Sequence, residues 1–276
     1  MSSHSTIFRS LPAACAVLAL ASLPALLHAG AWTPKSGTAY HKLALYHFSS
    51  DRSFGVRAPD LRNFSDTNLT YYFEYSLTDR LTFIGSIPYK KLSNERASVT
   101  DGSTGVGDID LGLRYLLVQN GPAVLSTAWL FKAPYAYSSD ATLPPGNGQV
   151  DVEGRLLFGY GLGNYGYFGA ELGYRYRAEA PADEFRYLLE YGFDASESLY
   201  LRAKYDGIVG QGNSTGLGVA AANPNLNLEF DLTKLEVTAG WRLTQSSAAE
   251  VSITRNITGE NTLRGSNYAL AWVYSF

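Results

Sequence analysis

G-V-G-D-I-D-L-G-L-R-Y-L-L, residues 105–117, decides how the chain is read. From Asp108 onward the residues alternate. Asp108, Asp110, Gly112 and Arg114 share one parity; Ile109, Leu111, Leu113, Tyr115 and Leu117 share the other. Successive side chains of a strand point to opposite faces, so one face here is charged and the other aliphatic. A soluble sheet hides its aliphatic face beneath a second layer. A transmembrane β-barrel turns that face to lipid and the charged face to a wet interior.

The alternation repeats along the chain. Leu69, Tyr71, Phe73 and Tyr75 share one face, with Thr70, Tyr72 and Glu74 opposite. Leu125, Trp129, Phe131 and Tyr135 oppose Lys132, and Phe168, Leu172, Tyr174 and Tyr176 oppose Glu171 and Arg175. The last segment puts Tyr268, Leu270, Trp272, Tyr274 and Phe276 on its apolar face. About twelve such segments are joined alternately by long polar loops and short turns, among them Asn120-Gly121-Pro122 and the Gly-rich stretch 161–165. Residues 90–105 read as a long loop after the third segment, and 257–267 as another before the last. Leu226, Leu228 and Phe230 alternate ahead of the tenth. The fold class expected is all-β: one antiparallel up-and-down barrel of about twelve strands, spanning residues 32–276. The rival is a soluble β-sandwich, which does not sort its loops into long and short ends.

Residues 1–29 have the layout of a signal peptide, with Arg9, then an apolar run from Leu11 to Leu27, then a small-residue site for cleavage after Ala29 or Ala31. A retained anchor fits less well, because the run is short and holds Pro12 and Pro24. Cys15, the one cysteine, leaves with that segment, so no disulfide or thiol chemistry is expected. Without Arg9, 21 basic side chains face 25 acidic ones, a formal charge of −4. That profile does not suit nucleic acid. Tyrosine is used heavily, 20 against 13 Phe and 4 Trp, as in the aromatic girdles of outer-membrane barrels.

The interior parity carries Asp108, Asp110, Arg114, Lys132, Asp151, Glu153, Arg155, Glu171, Arg175, Arg186, Glu190, Arg202, Lys204, Glu236, Arg242 and Glu250. These are the candidate lumen-lining residues. Turn centres at Gly163 and Ser196 set Arg155 opposite Glu171, Asp151 opposite Arg175, Glu190 opposite Arg202 and Arg186 opposite Asp206. Arg242 falls opposite Glu250, and Asp110 opposite Lys132. Opposite charges across a strand pair attract and help to fix register. Because acids and bases nearly balance, a strong single-sign field is absent. About twelve strands implies a pore narrower than that of sixteen-stranded porins.

Several segments give the chain a family resemblance: W-T-P-K-S-G at 32–37, G-V-G-D-I-D-L-G-L-R-Y at 105–115, Gly146 with Gly148, and the terminal Y-S-F at 274–276. Through them it resembles the outer-membrane family named for the meta-pathway of phenol degradation. The resemblance implies an outer-membrane channel or transporter for small, often hydrophobic or aromatic solutes, and assigns no catalytic residue, metal or cofactor. Phe276 resembles the terminal aromatic that barrel-assembly machinery reads. The expected partners are outer-membrane lipid, a small solute and that machinery.

Other readings are weaker. A structural or adhesin barrel would bind a partner through its loops. A lipid hydrolase could draw on His47 and Ser49, two residues apart on one face. However, both remaining histidines, His41 and His47, share parity with Leu43 and Leu45 and belong to the outer face. Asp101, Asp108 and Asp110 form an acidic group that suits solvated loop acids better than a cation site. Gly105 and Gly107 precede a strand, which excludes a phosphate loop.

Overall fold

The computed structural model describes residues 30–54, 61–134, 136–138, 141–214 and 229–276. The leader over 1–29, Tyr135, Leu226 and Leu228 lie outside the described residues.

The strands are β1 (Ala39–Ser50), β2 (Leu61–Thr78), β3 (Leu81–Arg96), β4 (Thr100–Val106), β5 (Ile109–Asn120), β6 (Ala123–Ala133) and β7 (Asp151–Gly161). They continue as β8 (Tyr167–Arg177), β9 (Glu184–Asp194), β10 (Leu199–Gly210), β11 (Asp231–Arg242), β12 (Ser247–Glu260) and β13 (Ser266–Ser275). Neighbours pair antiparallel, and β1 pairs with both β2 and β13, which closes the sheet. β3 pairs with β5 through Leu81–Ser86 and with β4 through Tyr89–Glu95. β4 and β5 are therefore two halves of one stave, interrupted at Gly107 and Asp108, and the wall has twelve staves. Closure satisfies every backbone edge that an open sheet would expose.

The outer face is apolar. Leu111, Leu113, Tyr115, Trp129, Phe131, Leu172 and Trp241 are all exposed there. Water does not tolerate so continuous a surface, and hydrocarbon does.

Two stretches read as loops are strand. β3 and β4 run through most of residues 90–105 and leave only 97–99 as their connection. β12 continues to Glu260, well into 257–267. Both are polar because they rise above the apolar band. Polar side chains do not stop a ladder whose backbone groups still need partners.

Apolar contacts gather in the interior near both ends. At the short-turn end, Ala31 is buried with Leu116, Val124, Ala128 and Leu157. Trp32 packs there and also against a cluster of Tyr167, Tyr200, Ala248 and Val273. At the long-loop end, Leu143, from the connection between β6 and β7, is buried with Phe64, Leu92 and Leu263. A belt of charge lies between.

Candidate functional site: the barrel interior

The interior belt is a set of branched ion pairs. Glu153, on β7, is the hub of one group. It receives Arg175 at 2.6 Å, Arg186 at 3.1 Å and the Arg155 Nε. The three guanidiniums come from β8, β9 and β7 itself, so one carboxylate ties three adjacent strands. Asp151, two residues away on the same face, takes Lys132 at 3.1 Å and Arg175 at 3.4 Å. Lys132 also reaches Asp108 at 3.3 Å, and Arg175 reaches Asp110 at 3.7 Å. Arg155 extends to Glu171 at 3.3 Å. Glu153 and Asp151 are each 1 % exposed, a depth at which carboxylates need paired cations.

Glu250, on β12, is the second hub. Lys42 lies at 2.6 Å and Arg202 at 3.4 Å, and the Tyr200 hydroxyl donates at 2.7 Å. Arg202 also stands 4.0 Å from Glu236. Lys204 pairs with Glu190 at 3.2 Å, and Glu190 accepts from the Tyr167 hydroxyl at 2.6 Å. Arg114 pairs with Glu74 at 2.5 Å. Arg242 sits beside the β9–β10 turn, 2.5 Å from Asp194, and covers the ring of Tyr200. These ion pairs follow the expected hairpin partners only in part.

Asp110 stands opposite Lys132, as expected from their hairpin, yet Lys132 turns to Asp108 and Asp151. The other expected partners are displaced by two residues. Arg155 faces Gly173, and Asp151 faces Arg177; Arg175 faces Glu153. Glu190 faces Lys204, while Arg202 faces Gly192 and Arg186 faces Ile208. Asp206 pairs with Lys234 at 3.2 Å instead of Arg186. Glu250 faces Gly240, and Arg242 faces Ala248. The cause is the turns. The β7–β8 turn centres on Asn164, because Gly163 and Gly166 both take positive φ, the first opening one short helical turn and the second capping it. In the β9–β10 turn, Ala195 donates to the carbonyl of Leu199, which centres it on Glu197. Moving a centre by one residue moves each partner by two, so every side chain keeps its face. The Arg155–Glu171 and Asp151–Arg175 contacts survive as diagonal pairs.

Lys42, Glu74, Arg177, Tyr167 and Tyr200 belong to the same networks and were not among the candidates. Lys42 and Glu74 have the right parity in the sequence. The two tyrosines are concealed among many others, distinguished only by standing on the polar parity of their strands. Tyr200 covers Gly240 and Tyr167 covers Gly192, each glycine leaving room for a ring where a Cβ would collide.

Short segments occupy both ends of the interior. The Ser126 hydroxyl donates to the Ala31 carbonyl at 2.6 Å. Trp32 stands edge-on to Tyr167, ring centroids 5.8 Å apart, over Gly159. At the other end, Asp108 accepts from the Tyr137 hydroxyl and from the Asn147 amide at 3.1 Å, while Gly148 donates to the Tyr137 oxygen at 2.8 Å. Burial and the Asp108 carboxylate both push the Tyr137 hydroxyl pKa well above its ordinary value. Between the ends lies a cavity of about 90 Å³, lined by Arg155, Glu171, Arg186, Tyr187, Asp206 and Lys234 among others.

The remaining candidates find structural partners. His47 shares a hydrogen bond with Thr67 at 2.8 Å and His41 with Tyr71 at 2.7 Å, both on the outer face. Asp101 pairs with Arg96 at 2.5 Å. Asp101, Asp108 and Asp110 thus answer to different cations.

No protein-family model matches the chain, and comparison with curated protein sequences gives no match. Solved structures do match. The chain is similar to the COG4313 outer membrane channel from Pseudomonas putida F1, with a TM-score of 0.75 at 17 % identity over 90 % of this chain and 98 % of that one. It is also similar to the NanC porin, with a TM-score of 0.55 at 9 % identity over 85 % of this chain and 98 % of that one. At such identities the likeness is one of fold.

Proposed function

We propose that this chain is exported behind a cleaved leader and forms an outer-membrane channel for small solutes, hydrophobic or aromatic ones among them. The observation that carries the reading is the contrast between wall and filling. The wall is a closed, lipid-compatible barrel whose strands bond one another all the way round, and short segments that are no part of that ladder fill its ends. A filling of that kind can shift without opening the wall. The near balance of interior acids and bases supports a solute without strong net charge. The sixteen interior residues named above would line the path, with the Glu153 and Glu250 groups as its narrow belt. Fold likeness to an outer membrane channel over nearly the whole chain supports the same reading, as do the sequence segments resembling the phenol meta-pathway family. Phe276 would present the terminal aromatic to the assembly machinery.

A structural barrel that binds partners through its loops is the second reading, favoured by the filled ends. Planar-bilayer recording of the purified protein, with and without aromatic solutes, separates the two. Discrete conductance that aromatic solutes interrupt supports the channel. Silence, persisting when residues 30–34 are removed, supports the structural barrel.

A further inference from the structure

We propose that processing leaves Gly30 as the first residue of the mature chain and that its α-ammonium is held inside the barrel by Glu171, with Glu190 on the same small pocket. This rests on the reading of residues 1–29 as a cleaved leader, and it chooses between the two cleavage positions the sequence offers.

Ala31 is part of the barrel interior. It is 2 % exposed, it packs with Leu116, Val124, Ala128 and Leu157, and its carbonyl satisfies the buried Ser126 hydroxyl. Cleavage after Ala31 would remove that residue. It would also leave the Ser126 hydroxyl without its acceptor, which is costly at a buried position. Cleavage after Ala29 keeps every one of these contacts.

The surroundings of Gly30 fit a new positive charge. A methyl group placed on its Cα would lie 2.7 Å from Glu171 Oε1, so the carboxylate stands against the backbone of this residue. The pocket around Gly30 and Ala31 is lined by Phe158, Gly169, Ala170, Leu188, Glu171 and Glu190, two carboxylates and no cationic side chain. Its volume of about 10 Å³ leaves no room for a solute. Glu190 already holds Lys204, but Glu171 shares its cation, because Arg155 is also committed to Glu153. An α-ammonium would complete the pairing, and proteolysis of one peptide bond supplies it: water adds, and Gly30 leaves as the free amine. While the leader is attached the same nitrogen is a neutral amide. Cleavage would thereby both free the chain and fasten its end in the barrel.

The test is N-terminal sequencing of protein extracted from outer membranes, followed by acylation of its amine. The expected chain begins at Gly30. At neutral pH its amine should react about tenfold more slowly in the folded protein than in the denatured one, since each unit by which its pKa rises above about 7.7–8.0 removes tenfold of the reactive free base. Glu171→Gln should recover most of that reactivity, and Glu190→Gln a smaller part. Both variants should still run as heat-modifiable folded barrels. A chain beginning at Trp32 overturns the inference and leaves the leader reading standing. A chain that keeps residues 1–29 overturns both. A Gly30 start with equal amine reactivity in folded and denatured protein overturns the ion pair.

Discussion

Glu190 stands directly opposite Lys204 across the β9–β10 ladder, and their side chains meet at 3.2 Å. Lys204 keeps more than a quarter of its side chain accessible, so solvent screens the pair. Removing it in a double-mutant cycle, Glu190→Gln with Lys204→Met, should show a coupling of no more than about 1 kcal/mol in denaturant unfolding. Glu153→Gln should cost more, about 3–5 kcal/mol, because three guanidiniums lose a buried shared counter-ion. Equal costs at Glu153 and Glu190 would contradict the assignment of Glu153 as a hub.

Arg155 joins Glu153 to Glu171 beside the central cavity. Arg155→Gln removes one positive charge and leaves both carboxylates in place. If these residues line the conducting path, reversal potentials under a salt gradient should move toward cation preference. An unchanged reversal potential in a conducting variant would make the network a brace only.

Leu113 is on the outer face and 44 % exposed. Leu113→Arg should cost about 2–4 kcal/mol of folding stability if it lies near the bilayer midplane. Its neighbour Gly112 is no fair control, since a Cβ there would stand 2.4 Å from the Trp129 carbonyl. Thr70, on the interior parity and hydrogen-bonded to Asn68, is a better one. Thr70→Arg should cost clearly less in lipid-vesicle refolding.

Gly159 lies under the Trp32 ring, and a Cβ built at position 159 would stand 2.4 Å from that ring. Gly159→Ala should displace the ring and loosen the short-turn end without touching the ladder. Higher conductance, or faster exchange of the backbone amides at 31–33, is the expected result. A closed, unaltered channel would show that Trp32 is not what occludes it.

Asp183 anchors the connection between β8 and β9. Partial burial raises its pKa, but the Arg177 amide, the Tyr174 hydroxyl, the Asn213 side chain and the charge of Arg177 together lower it further. A carboxylate with a folded pKa below its unfolded value of about 3.9 stabilises the fold above that value and loses the contribution as pH falls through the lower one. Hydrogen exchange at the Arg177 amide, which donates to this carboxylate, should therefore accelerate only in that acid range. Asp183→Asn should accelerate it at neutral pH as well.

The barrel was legible in the sequence because alternation is a one-dimensional signal. Residues 105–117 show it, and Leu111, Leu113 and Tyr115 are where their parity put them. Strand ends were less legible. Lys90, Lys91, Ser93 and Asn94 read as loop, yet they pair with β4 above the apolar band, where nothing but the backbone requires a strand. Partners were least legible, since a residue such as Gly166, with φ of +93°, moves a turn centre without altering the pattern on either side. The end fillings left almost no trace. Ala31 and Leu143 are buried, and Trp32 half-buried, by meeting distant staves, and short irregular segments carry no periodicity to mark them.

The seam where Tyr40 faces Ser275 and His41 faces Tyr274 has a consequence for mutation. In a closed barrel the offsets of all hairpins add to one fixed shear, which sets tilt and diameter together. No single hairpin can slip by itself, since a two-residue step at β7–β8 must be undone elsewhere or appear as a mismatch at that seam. Deleting two residues from one short turn should thus act on the whole circumference, while the same deletion in a long connection changes only the rim.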